Sequence, residues 1–154
     1  MAGTAETVHG TCVALGRRGA LLRGPSGCGK SDLALRFLFL EGRGPAARAA
    51  PALVADDRVE LRRAGRRVLA ACPESIRGKL EVRGIGVIDV KPLSECELAV
   101  VVDLVGGGGK IERLPDPHPT ARLVGVELPL LRLAPFESSA PIKLALAVAH
   151  AGRS

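Results

Sequence analysis

Gly24-Pro25-Ser26-Gly27-Cys28-Gly29-Lys30-Ser31 fits the pattern G-x-x-x-x-G-K-[ST], the phosphate-binding P-loop. Its glycines let backbone N–H groups turn inward around phosphate oxygens. A helix opening at Ser31 and Asp32 adds about half a positive charge at the same point. Lys30 is then placed to neutralise the outer phosphates. The Ser31 hydroxyl can ligate Mg²⁺, which prefers oxygen donors and bridges the β- and γ-phosphates in such sites. Gly24 through Asp32 are therefore the candidate nucleotide-binding residues, with Mg²⁺ as the accompanying cofactor.

A P-loop specifies a nucleotide and not a reaction, so a carboxylate at a strand end must supply the rest. Three places offer one: Asp56-Asp57 after Ala52-Leu53-Val54-Ala55, Asp89 after Gly86-Val87-Ile88, and Asp103 after Ala99-Val100-Val101-Val102. Pattern alone favours Asp103. Adjacent carboxylates differ in kind, because mutual repulsion raises one pKa and suits a proton acceptor beside a metal- or phosphate-facing group. Asp56-Asp57 is on that ground the more catalytic pair. Neighbours on a regular strand point to opposite faces, so both can serve one site only at a strand end or a bulge.

The elements that must position these groups are short aliphatic runs. Strands are expected at Thr11 to Leu15, Ala20 to Arg23, Leu53 to Leu61, Val68 to Ala71, Val87 to Val90, Leu98 to Val105 and Leu123 to Leu128. Ser31 to Leu40 reads as a helix buried on several sides. A second helix runs from Pro141 to Ala149 behind a Ser138 or Ser139 cap. Leu61 to Leu69 reads as a hairpin with a two-residue turn at its Gly, flanked by four arginines that either solvate the tip or dock an acidic partner. Glu41 to Pro51 and Gly106 to Pro119 read as loops, the latter mobile without a ligand.

With 154 residues the chain suits one domain, residues 1–154, able to bury a core without staples. Its 47% hydrophobic and 25% charged residues exclude a disordered or fibrous chain. Apolar runs fall far short of the ~20 residues of a membrane-spanning helix, and no secretory signal precedes them. A cytoplasmic location follows as the expectation. The four cysteines lack metal-ligand spacing and read as reduced thiols. The net charge of +6 invites an anionic partner, but with no Trp, no Tyr and three Phe a nucleic-acid surface built on base stacking is not expected.

The order of motifs is specific: His9-Gly10, then GPSGCGKSD at Gly24 to Asp32, then LVADDRV from Leu53, then LEVRGIGVIDV from Leu80. This series resembles the catalytic domain of the HPr kinase/phosphorylase family from about His9 to Arg113, and more weakly to the C-terminal helix. The resemblance implies an α/β fold: a P-loop-containing mixed β-sheet with flanking helices, related to the nucleotide-binding core of phosphoenolpyruvate carboxykinases. It implies an enzyme that phosphorylates a serine of the phosphocarrier HPr, or an HPr-like carrier, with ATP and Mg²⁺. The same site would remove that phosphate by phosphorolysis, with phosphate consumed and pyrophosphate released.

Residue by residue, the resemblance makes Asp57 the carboxylate that takes the serine proton, with Asp56 its phosphate- or metal-side neighbour. His9 matches the histidine near that carboxylate. Glu81 with Ser31 resembles the Mg²⁺ ligand pair. Arg83 would face the transferred group, and Arg113, in the Lys110 to Leu114 segment, would contact phosphate. A homo-oligomer, hexameric as in the family, is implied, whereas the N-terminal domain of longer members is not expected. Segments Gly44 to Ala52 and Pro135 to His150 depart from the family pattern. Two other functions use the same motif: a nucleotide-sensing regulator without transfer, and a kinase of another acceptor. A GTPase fits worst, since its usual Asn-Lys-x-Asp segment needs an Asn and the chain has none.

Overall fold

The computed structural model describes residues 5–40, 50–106 and 110–151. Among the described residues nine strands, two α-helices and one short 3-10 helix (Glu74–Ile76) make a mixed α/β chain in which strands dominate. The strands are β1 (Ala5–Leu15), β2 (Arg18–Arg23), β3 (Pro51–Ala64), β4 (Arg67–Ala71), β5 (Lys79–Val82), β6 (Gly86–Asp89), β7 (Glu95–Leu104), β8 (Thr120–Leu123) and β9 (Val126–Leu133). The helices are α1 (Lys30–Leu38) and α2 (Ala140–His150).

Seven strands form one sheet in the order β2-β1-β3-β4-β7-β9-β8, and pairing of β2 with β7 closes the first five into a ring. The β1–β2, β1–β3, β3–β4 and β4–β7 pairs are antiparallel, whereas β2–β7 and β7–β9 are parallel. One strand, β7, therefore carries β2 along one edge and β4 then β9 along the other. Its run Leu98 to Val102 is buried throughout, as a strand paired on both edges and covered on both faces requires.

Alternation along β1, β2 and β7 divides the core into two clusters. Cys12, Ala14, Leu21, Val54, Leu98 and Val101 belong to one, together with β8 and β9 residues such as Ala121 and Leu128. Val13, Leu22, Val100 and Val102 belong to the other, which α1 and α2 cover with Leu33, Phe37, Leu144 and Val148. Phe37 is fully buried, a burial worth about 1.5–3 kcal/mol for a side chain of this size. The β5–β6 hairpin forms its own two-stranded sheet and is anchored by the fully buried Leu80.

Several expectations are corrected. Only one face of α1 is buried, at Leu33, Ala34 and Phe37, while Phe39 beyond its end is exposed. The run Leu123 to Leu128 is not one strand: Val124-Gly125 turns the chain between β8 and β9. The expected helix cap at Ser139 occupies the right position, but its side chain makes no capping hydrogen bond, and the helix starts at Ala140. Strand β5 was not foreseen as a strand.

The arginine hairpin forms as read, with Ala64 facing Arg67 across its turn. Its cations mostly brace neighbours. Arg62 and Arg67 pair with Glu95 and Glu97 of β7 at 2.9 and 3.3 Å, and Arg63 donates to Gly65 O at 2.9 Å. The expected loop Glu41 to Pro51 lies mostly outside the described residues, and Pro51 already belongs to β3. Gly106 and residues 110–119 carry no helix or strand; the remainder of that glycine run lies outside the described residues.

Candidate active site

A cavity of about 710 Å³ opens where the β2–α1 loop, the middle of β1 and β3, and the β5–β6 hairpin converge. It brings together His9, Ser26, Gly27, Gly29, Lys30, Ser31, Asp32, Asp56, Asp57, Glu81 and Arg83 from the expected residues. Thr11, Leu35, Val82 and Phe136 complete the lining.

The loop follows β2 because Arg23 ends that strand's buried run, and Gly29 then adopts φ 105°, a left-handed conformation that favours glycine. α1 begins at once, with Leu33 N–H donating to Gly29 O at 2.9 Å. Lys30 is buried, an uncommon state for a lysine unless it is well partnered. Its ammonium donates to Gly24 O at 2.6 Å and Pro25 O at 3.0 Å, which holds the charge against the loop it must serve. Cys28 Sγ lies 3.8 Å from the same nitrogen.

Asp56 and Asp57 divide sharply in environment. Asp56 Oδ1 accepts from Thr11 Oγ1 at 2.9 Å and from Ser31 Oγ at 3.1 Å, so its carboxylate is fixed between β1 and α1. Thr11 stands directly opposite Asp56 in the β1–β3 register. Asp57, its neighbour, is exposed and faces His9, with Nδ1 to Oδ1 at 3.3 Å. Regular pleating would send the two to opposite faces. Asp57 instead has φ 77°, which breaks the pleat at this point, and both carboxylates line the same cavity. Gly10 faces Asp57 across the ladder, and a Cβ there would lie 2.9 Å from Leu22 O.

Glu81 and Arg83 reach the cavity from β5 and the turn that follows it, held there by Leu80 beneath. Ser31, Asp56 and Glu81 offer only oxygen donors, a set that suits a hard divalent cation. Among the described residues no group of three or more His, Cys, Asp or Glu side chains gathers closely enough to hold a metal by itself.

A model of the family described as HPr Serine kinase C-terminal domain matches residues 2–149. The chain belongs to this family. It is 36% identical over 136 residues to the HPr kinase/phosphorylase of Exiguobacterium sp., covering 82% of this chain and 41% of that one. The HPr kinase/phosphorylase of Bordetella pertussis is 36% identical over 132 residues, covering 79% and 40%. The chain thus spans about two fifths of the length of the curated relatives it matches. In fold it is similar to the Hpr(Ser) kinase/phosphatase from Coxiella burnetii, with a TM-score of 0.74 at 22% identity, covering 93% of each chain.

Within this HPr serine kinase domain, four of the expected residues stand apart from the cavity lining. Gly24, Pro25 and Cys28 do not line the cavity; within the loop the Gly24 and Pro25 carbonyls and the Cys28 sulfur face the Lys30 ammonium. Arg113 is exposed in the segment before β8 and does not line the cavity. Asp103, which local pattern favoured, is held elsewhere: Arg23 Nε and Nη2 donate to its two oxygens at 2.7 and 3.1 Å across the parallel β2–β7 register. Asp89 pairs with Lys79 on the β5–β6 hairpin. Thr11 and Phe136 were missed. A threonine opposite an aspartate is visible only once strand register is known, and a single phenylalanine in a turn leaves no periodic signal.

Proposed function

We propose that residues 1–154 act as one catalytic unit, a serine kinase of HPr or an HPr-like carrier that uses ATP and Mg²⁺ and also removes the phosphate from the phosphoserine by phosphorolysis. Membership of the HPr serine kinase domain family and the names of its relatives support the reaction. The observation that carries the reading is the contrast within the aspartate pair beside the Gly24–Ser31 loop. Asp56 is tied to Ser31 and Thr11, while Asp57 has neither hydroxyl and stands open to a macromolecular acceptor.

In the kinase direction Asp57 takes the proton of the carrier's serine as its oxygen bonds to the γ-phosphorus and the bond to the β-phosphate bridging oxygen breaks. ADP leaves, and the phosphoryl group stays on the carrier. In phosphorolysis, inorganic phosphate attacks the phosphoserine phosphorus as its bond to the serine oxygen breaks, Asp57 gives the proton to that oxygen, and pyrophosphate leaves. His9 orients the Asp57 carboxylate. Lys30, drawn from its two carbonyl acceptors by phosphate, neutralises charge, and Arg83 supplies a second cation from the opposite wall. Mg²⁺ would be held by Ser31, Asp56 and Glu81, and supplies charge neutralisation at the phosphates. Arg113 would join only if its segment moved toward the cavity on substrate binding.

The test is phosphoserine formation on the carrier, read by peptide mass spectrometry, for the wild type and for Asp57→Asn. The wild type should phosphorylate one serine. Asp57→Asn should bind nucleotide equally and transfer about 10²–10⁴-fold more slowly, the usual contribution of a positioned proton acceptor. Unimpaired transfer by Asp57→Asn would overturn the assignment. Phosphate found only on a different acceptor would replace the carrier.

A further inference from the structure

The three phenylalanines of the chain occupy three different environments. Phe37 is fully buried in the core, and Phe39 is exposed just beyond α1. Phe136 is 70% exposed and yet belongs to the cavity wall. It sits in the turn between β9 and α2, against the loop: a Cβ built on Gly29 would lie 2.9 Å from Phe136 Cζ and 3.2 Å from Cε1. Glycine at position 29 thus both permits φ 105° and leaves room for the ring.

The turn is fastened in place from α1. Arg36 donates to Asp32 Oδ2 at 2.9 Å, to Glu137 O at 3.2 Å and to Pro135 O, so one guanidinium spans the helix and both neighbours of Phe136. On the far side Lys143 donates to Glu137 Oε2 at 2.7 Å. An aromatic ring held largely in water gains little from core burial. Here its backbone is tied down at the mouth of a polar cavity that Leu35 also lines. Leu35, Val82 and Phe136 are the large apolar side chains of a lining otherwise made mostly of Lys30, hydroxyls and carboxylates, and Phe136 supplies its aromatic ring.

We infer that Phe136 is the platform on which the nucleotide's base stacks, while the Gly24–Ser31 loop takes the phosphates. The inference rests on the nucleotide reading proposed above and adds the subsite that reads the base. Stacking on a π face is the usual way a protein holds a base without dedicated hydrogen-bond donors, and its loss weakens binding by about 5- to 100-fold.

Calorimetric titration of the wild type and of Phe136→Ala with Mg-ATP and with Mg-tripolyphosphate, which has the phosphates but no base, separates the contributions. Phe136→Ala should bind ATP about 5- to 100-fold more weakly and tripolyphosphate as tightly as the wild type. A second variant, Phe136→Trp, gives a chain with no other Trp or Tyr, so its single indole reports the subsite directly. ATP should quench that fluorescence and tripolyphosphate should not. Unchanged ATP affinity in Phe136→Ala, or equal weakening of both ligands, would overturn the stacking role while leaving the nucleotide site intact. Failure of the wild type to bind either ligand would overturn both readings.

Discussion

Replacing Asp57 by glycine should make the protein more stable and inactive at once. Asp57 has φ 77° inside β3, a left-handed conformation that costs an L-residue with a side chain about 1–2 kcal/mol. Glycine adopts it freely but returns roughly 0.5–1 kcal/mol through the greater freedom of the unfolded chain. The lost contact with His9 matters little, because the two side chains are 51% and 72% exposed and such pairs contribute about a few tenths of a kcal/mol. The net gain is about 0.5–1 kcal/mol, an upward shift of roughly 1–3 °C in the melting temperature of a chain of this size. Asp57→Asn should melt with the wild type, since asparagine tolerates the same backbone. Asp57→Ala should melt below both, having the strain without the local hydrogen-bonding capacity. The assay is circular-dichroism melting of the four proteins at neutral pH beside their phosphotransfer rates. Equal melting of the Gly and Ala variants, or a Gly variant less stable than the wild type, would refute the claim that strain at Asp57 is held for function.

Lys30→Met should abolish nucleotide binding and also lower ligand-free stability by about 1–2 kcal/mol, because the Gly24 and Pro25 carbonyls lose their donor; urea unfolding without ligand measures the second effect. Asp103→Asn should weaken the bidentate contact with Arg23, with a double-mutant coupling of about 0.5–1 kcal/mol, while Mg-ATP binding stays at the wild-type level, whereas Asp56→Asn should impair that binding; titration of both variants decides between them. The Cys12 thiol is pushed well above its ordinary range by its hydrogen bond with Cys96, 3.7 Å away, and by burial. A thiol that resists ionisation only when folded contributes stability that is complete below the unfolded value of about 8.5 and is lost as pH rises beyond it. The urea midpoint should therefore fall from pH 8 to pH 10, and fall less in Cys12→Ala.

Where a signal was local, the sequence carried it. The Gly24–Ser31 loop, the helix it opens and the hairpin at Gly65 follow from residue types that admit few backbones. The aspartate pair was legible as chemistry but paradoxical as geometry, and the paradox resolves in the positive φ of Asp57, which no pattern announces. Asp103 shows the converse: a carboxylate after four aliphatic residues satisfies a local rule, yet the parallel β2–β7 register supplies Arg23 as its partner. The β8–β9 turn was hidden because Leu123-Val124-Gly125-Val126 reads as continuous strand. Its Val124 has φ 43°, a conformation β-branched residues rarely adopt. Phe136 acquires meaning only when β9 and α2 bring its turn beside Gly29.

The central claim is that one cavity transfers a phosphoryl group to and from a carrier's serine. Its most direct test follows one serine through both reactions: the purified chain with Mg-ATP and the HPr-type carrier of the same cell, then an excess of inorganic phosphate after ATP is removed. Intact-mass and peptide spectra should show one phosphoserine on the carrier, lost again after phosphate addition with an equal amount of pyrophosphate released. A carrier that stays unmodified while the chain demonstrably binds ATP would contradict the account.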